Sequence, residues 1–386
     1  MIRLAIVATA LSVAVMIVAI AVVTGFRHAV TEKLFSFMGH VHVVRFDETK
    51  SSALNYSEPV YYSHGLADSI RKIPHVTDVY PFVEKPVLVQ ANGNMEVLGL
   101  KGVNRDYHFM KGITTTGKWI DFSDTAYSRQ IMLSKTTANL LNINAGDSVL
   151  LDFYENSELR IRKVRVCGIY HSGMEEVDKN FGVCDIRLLQ RINNWPADSI
   201  NGYQVDLSDN QYADTVDAYI HYNLIYAPLE AYTTVENYSS IFDWLQLISL
   251  DGVILLVIMA VVSIINMGAV LLILMVDRAN MIGLLKALGM PFSQTRNIFL
   301  GIAALIGLAG ILLGNAFALG LCWLQVHYGI IQLPEDVYYM HYAPIRIVWW
   351  QVGLIDAATL VLCVFCMWLP TLYIRRIQPA RVLQFK

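Results

Sequence analysis

Four stretches of this chain are long and apolar enough to cross a lipid bilayer, and nothing else in the sequence limits its fold so tightly. About 20 apolar residues in a helix span the hydrocarbon layer, and residues 1–24, 250–276, 298–324 and 350–374 each meet that length. Inside lipid the backbone has no water to bond, so each stretch is expected to be a helix. The first carries Arg3 as its single charge. It outruns the core of roughly 7 to 15 residues found in a cleaved signal peptide, and no polar cleavage region follows promptly, so it reads as an uncleaved anchor.

Basic residues fix the orientation, because Lys and Arg in short loops stay on the cytoplasmic side. Residues 277–297 carry Arg278, Lys286 and Arg296, and the tail 375–386 carries Arg375, Arg376, Arg381 and Lys386, whereas the loop 325–349 has only Arg346. Both basic segments are therefore expected to be cytoplasmic, and residues 25–249 and 325–349 to lie outside. A composition of 55% hydrophobic and 16% charged residues agrees with a membrane protein. The net charge of -3, with no basic tract, gives no reason to expect a nucleic-acid partner.

The large outer segment reads as an α+β domain. Alternating patterns predict strands at 41–46, 87–90, 96–100, 148–154, 161–169 and 203–207, with helices at 65–72, 136–141 and 213–224. Turn signals fall at 91–94 and 144–147. His40 and His42 alternate with Val41 and Val43, which would place both on the wet face of one strand. The fold class expected is a membrane protein of four transmembrane α-helices with a large α+β domain between helices 1 and 2.

Few residues suggest catalysis. The segment 112–119 imitates a phosphate-binding loop until Trp119 takes the place of the Ser or Thr that would hold magnesium, so it reads as a glycine-rich surface turn. Hydrolysis of a nucleotide would then belong to another subunit. The histidines lack zinc spacing, and no Ser, His and acid set is recognisable from order alone. Cys363 and Cys366 form C-x-x-C inside an apolar run, where thiols act as small hydrophobes. Cys167 and Cys184 would form a disulfide only if their strands were adjacent, and two free buried thiols is the simpler reading.

The cytoplasmic loop is more informative. Met281, Ile282, Gly283, Leu284, Leu285, Lys286, Ala287, Leu288 and Gly289 place apolar residues 281, 284, 285 and 288 on one face of a short helix. Gly289 suits its C-terminal cap, and Pro291 bars continuation. Such a stripe either rests on the membrane surface or docks into a soluble partner as a lever. Within the spans, Gly310 to Gly314 forms G-x-x-x-G, which implies close helix packing within one chain or between two. Asn266, Asn315 and Asp356 are polar groups inside spans, where such groups usually face a bundle interior or a wet cavity.

With the lever segment in view, the chain resembles permeases of the FtsX and MacB superfamily, most closely the LolC and LolE subunits of lipoprotein-releasing exporters. The resemblance covers nearly the whole chain. It is carried by residues 282–289 followed by Ile298-Phe299-Leu300, by 333–340 in the third loop, by 194–203, and by 377–383 in the tail. It implies two permease copies or paralogues clasping a cavity, with LolD-like ATPase subunits holding ATP and magnesium outside this chain. It also implies a lipoprotein substrate and a LolA-like periplasmic carrier, with the large domain resembling the MacB periplasmic core. Residues 281–289 would be the coupling helix seated on the ATPase.

The sequence departs from the family pattern in three places. Met1 almost begins the first span, where the family usually has an amphipathic helix. Met281 stands where an acidic residue is usual. The carrier-contacting hairpin of the family is reduced here to Tyr154, Glu155, Asn156, Ser157, Glu158, Leu159 and Arg160. Two other readings, a MacB-like mechanotransmission exporter of peptides and an FtsX-like regulator of a cell-wall hydrolase, share the membrane plan. The large outer domain and the Lol-like third loop argue against the regulator.

Overall fold

A computed structural model describes residues 2–46, 59–107, 113–124, 126–155, 158–277, 281, 290–334, 340 and 342–374. The elements in chain order are α1 (Ile2–Met38), β1 (Val41–Arg45), β2 (Val60–Tyr61), α2 (His64–Arg71), β3 (Val76–Ala91), β4 (Asn94–Val103), β5 (Thr114–Gly117) and β6 (Gln130–Ser134). There follow α3 (Lys135–Leu141), β7 (Ser148–Glu155), β8 (Glu158–His171), α4 (Glu175–Asn180), β9 (Phe181–Asp185), α5 (Ile186–Ile192), β10 (Ser199–Ile200) and β11 (Gly202–Leu207). The last are α6 (Ala213–Asn223), β12 (Leu229–Thr233), α7 (Thr234–Asn237), α8 (Ser239–Asp277), α9 (Phe292–Tyr328) and α10 (Trp349–Ile374). Two compact units result. One comprises Met1–Ala29, Asp243–Leu333 and Tyr342–Lys386, and the other Val30–Phe242 and Pro334–His341.

The first unit is helical. Each of α1, α8, α9 and α10 contains a stretch long and apolar enough to span a membrane, as the four apolar runs require. The glycines of α9 explain how they pack. A Cβ at Gly310 would stand 2.7 Å from Thr9 Cβ, and one at Gly314 would stand 2.7 Å from the Ala10 carbonyl oxygen. The G-x-x-x-G motif thus lets α9 meet α1 of the same chain backbone to backbone. Gly307 faces Cys363 of α10, whose thiol is buried packing, whereas among the described residues nothing lies within 4 Å of a Cβ at Gly301 or Gly320.

The second unit is an α+β domain on one large sheet. Its strand order is β12-β1-β11-β3-β4-β9-β6-β8-β5, with β7 pairing both β3 and β8. Pairing is antiparallel except for β4 with β9 and β6 with β8. The β3–β4 hairpin closes through Asn92 (φ 52°) and Gly93 (φ 81°), the positive-φ pair that a two-residue turn demands. Short helices start where side chains cap them: Ser63 for α2, Ser134 for α3, Asp185 for α5, and Thr233 with Glu236 as a capping box for α7. Their apolar faces, including Ile70, Leu141, Leu189 and Ile220, bury against strand residues such as Val43, Val89, Leu100 and Val166. Each such side chain contributes about 2 kcal/mol.

Two expectations from the sequence are corrected. The glycine-rich turn expected at 112–119 is instead an edge strand on β8 over Thr114–Gly117, in which Gly117 has a positive φ (102°). His42 does not face water: it is buried, stacked on Tyr232 at 5.4 Å, because β1 is an inner strand covered on both faces. The reading of Cys167 and Cys184 as free thiols agrees with the structure: they sit on β8 and β9 with β6 between them, Cys184 buried and Cys167 only partly so.

Candidate functional site

The β7–β8 hairpin pairs Tyr154 with Leu159 and Glu155 with Glu158. Period-two alternation sends Leu151 and Phe153 into the core, and Leu150 and Tyr154 to the opposite face. Tyr154 is 74% exposed and Leu159 59% exposed. Register extends this face across the sheet: Ile161 lies opposite Asp152, Asp152 opposite Leu88, and Leu88 opposite Val97. Leu150, Ile161, Val97 and Met95 are exposed as well. Asp152 is buried at its centre, where Gln90 donates to one oxygen and the other has no partner among the described residues. Arg160 differs from its neighbours, since its guanidinium donates back to the Ile192 carbonyl. Asn156 and Ser157, and the side chains of Glu155 and Glu158, lie outside the described residues.

Inside the helical unit, Asn315 of α9 donates to Asp356 of α10 at 2.8 Å. The Asn315 amide oxygen and the second carboxylate oxygen of Asp356 are buried without a partner among the described residues. The pair joins the two helices that the apolar pattern alone would leave free to slide, as intramembrane polar groups commonly do. The side chain of Asn266 lies outside the described residues, as do residues 282–289 of the lever. Met281 is 44% exposed.

A second polar cluster was not legible as a site. Lys101, fully buried on β4, donates to the Phe37 carbonyl at 2.8 Å and to Gln204 Oε1 at 2.6 Å. The Tyr107 hydroxyl donates to the same carbonyl at 3.1 Å, and Gln204 Nε2 donates to Asp206 at 3.0 Å. The ammonium also stands 4.9 Å from the Phe37 ring centroid. Burial pushes the Lys101 amine below its ordinary value, while Glu84 and Asp206 pull it back up. Burial raises the Glu84 carboxyl and brings that of Asp206 up to about 6. The available signal was a lysine set between Leu98, Leu100 and Val103, where an amphipathic strand would carry no charge on its covered face.

His171, Ser172 and Asp178 do meet, yet not as catalysis requires. The Ser172 hydroxyl donates to Asp178 at 2.6 Å, and His171 Nδ1 lies 3.0 Å from the same carboxylate. The serine therefore bonds the acid rather than a base that could activate it. The Ser172 backbone N–H also donates to Asp178, so the cluster closes the turn into α4.

A bundle of apolar helices joined to an α+β sheet domain is what the family comparisons match. Residues 4–221 fit the MacB-like periplasmic core domain, and residues 253–379 fit the FtsX-like permease C-terminal region. The chain belongs to the FtsX and MacB permease family. As a member of it, the chain is an ABC-type membrane permease whose sheet unit is a periplasmic core domain. The lipoprotein-releasing system transmembrane protein LolC of Xylella fastidiosa is 24% identical, with 98% of this chain and 92% of that protein covered. LolE of Haemophilus influenzae is 22% identical over 97% of this chain and 92% of its own length. The periplasmic region of MacB from Actinobacillus actinomycetemcomitans aligns with a TM-score of 0.36 at 12% identity, over 52% of this chain and 92% of that one.

Proposed function

We propose that this FtsX and MacB family permease extracts lipoproteins from the bacterial inner membrane and hands them to a periplasmic carrier, driven by a separate ATPase. The similarity to LolC and LolE over 97% or more of the chain carries this reading. In it, LolD-like subunits bind ATP and magnesium and seat the lever at residues 281–289. A second permease copy or paralogue completes the cavity, and a LolA-like carrier meets the hairpin at Tyr154 and Leu159.

Two structural features support it. A lipoprotein's acyl chains lose about 0.8 kcal/mol per CH2 on leaving lipid, so both the cavity and the receiving surface must be apolar. The hairpin face of the sheet unit is apolar and exposed. Within this chain only 12% of the most apolar stretch of α8 is buried, against 39% for α1, which leaves α8 a face for acyl chains or a second permease.

The test is reconstitution of the chain with its partner ATPase in liposomes, measuring ATP-dependent transfer of a triacylated lipoprotein to a soluble carrier. Transfer that needs both ATP and the carrier is the expected result. ATP hydrolysis without lipoprotein release, accompanied by expulsion of a peptide, would replace this reading with the MacB-like one.

A further inference from the structure

An α-helix leaves its last carbonyls unpaired and concentrates partial negative charge there. At the end of α1, Gly39 turns off in the left-handed region (φ 78°), and its N–H donates to the Phe35 carbonyl at 2.7 Å. The Phe37 carbonyl is satisfied from the sheet instead, by the buried ammonium of Lys101 at 2.8 Å and the hydroxyl of Tyr107 at 3.1 Å. A buried lysine is costly unless its donors are placed on good acceptors. Here those acceptors are a helix terminus and an amide that leads on to Asp206.

The strand that carries Lys101 is also the start of a continuous hydrogen-bonded route. β4 pairs with β3 from Gly102 to Asn94, β3 pairs with β7 at Leu88, Val89 and Gln90, and β7 runs into the exposed hairpin at Tyr154. Glu84 lies directly opposite Lys101 across the first of these pairings.

We propose that Lys101 is a positioning residue that ties the C-terminal end of α1 to β4, so that displacement of the first span reaches the hairpin face through the sheet. What the displacement accomplishes rests on the proposed lipoprotein-release function; the tie itself does not. The competing explanation is that Lys101 only balances the charges of Glu84 and Asp206. Lys101→Met removes both roles, whereas Lys101→Met with Glu84→Gln restores the charge balance without restoring the bond to Phe37.

Both variants are compared with the wild type in the full-length chain, reconstituted with its partner ATPase, by two readouts. The first is the distance distribution between spin labels at positions 36 and 97, on the last turn of α1 and on β4. The second is triacylated lipoprotein released per ATP hydrolysed. In the double variant the distribution is expected to broaden and release per ATP to fall by at least about tenfold, the scale of losing a charge-assisted hydrogen bond. An unchanged distribution overturns the tie, and a broadened one with undiminished release overturns its role in transmission. Wild-type liposomes that release nothing, with broadening still seen in the variant, would remove the functional reading and leave the tie standing. Should neither lysine variant assemble, Tyr107→Phe deletes only the second donor on the same carbonyl and leaves the Lys101 bond, so an unaltered distribution is expected there; a broadened one would assign the tie to Tyr107 and overturn the role of Lys101.

Discussion

His40 accepts the Leu207 N–H on Nδ1 at 3.1 Å and stacks on Phe35 with ring centroids 4.4 Å apart. That bond requires a neutral ring. Burial lowers its pKa from 6.5 to about 4, against an upward pull from Asp209. A depressed histidine stabilises the fold above its ordinary value, and the contribution is lost as pH falls from 6.5 toward 4; it amounts to about 3 kcal/mol at most. Asp206 acts in the opposite sense. Its raised value, about 6 against 3.8, makes its contribution complete below 3.8 and lost as pH rises through 6. His40→Asn keeps an acceptor that cannot ionise, so thermal melts of the purified full-length chain should decline less between pH 6.5 and 4 than those of the wild type. Asp206→Asn should decline more. A wild-type profile matching that of His40→Asn would remove the assignment. Gly39 is constrained twice, since a Cβ there would stand 2.4 Å from Gln204 Cγ and its φ is left-handed. Gly39→Ala should therefore lower stability by more than the roughly 1 kcal/mol of backbone strain alone, read as a drop in melting temperature.

Among the elements, legibility followed one-sided burial. The β7 and β8 patterns alternate because one face is wet, and they were readable from the sequence. β9 was not, since Phe181–Asp185 is buried along its whole length and sits between β4 and β6, leaving no alternation to see. β3 read as a short piece because Pro81 and Pro86 interrupt it, yet the strand continues through both, opposite Tyr203 and Gly99. The polar cluster at the end of α1 was missed for a related reason. Glu84, Lys101 and Asp206 look like solvent-facing positions until the pairing of β11, β3 and β4 brings them together beneath a helix end. The hairpin carries its own prediction. Tyr154→Ser with Leu159→Ser removes the exposed apolar pair without touching the core, so transfer to carrier should fall about tenfold or more while ATP hydrolysis is unchanged. Equal loss of hydrolysis in the release assay would deny the hairpin a separate receiving role.

For the molecule as a whole, four apolar runs foretold the four helices, but composition could not say which helix meets which. That depended on where α9 lacks side chains. The proposed engine is outside the chain, so its connection is testable by breaking it: Leu285→Asp or Leu288→Asp places charge on the lever's apolar stripe. Either should abolish stimulation of the ATPase by lipoprotein while leaving the chain inserted, and stimulation equal to the wild type would remove the lever assignment.

The glycines at 310 and 314 bring two helix backbones into direct contact with Thr9, Ala10 and Val13. A seam with so little side chain between its faces cannot be widened gradually; it holds or it parts. The second helix is the one its own chain covers least, 12% of its most apolar stretch against 39% for the first, so whatever completes the bundle has most to bury there.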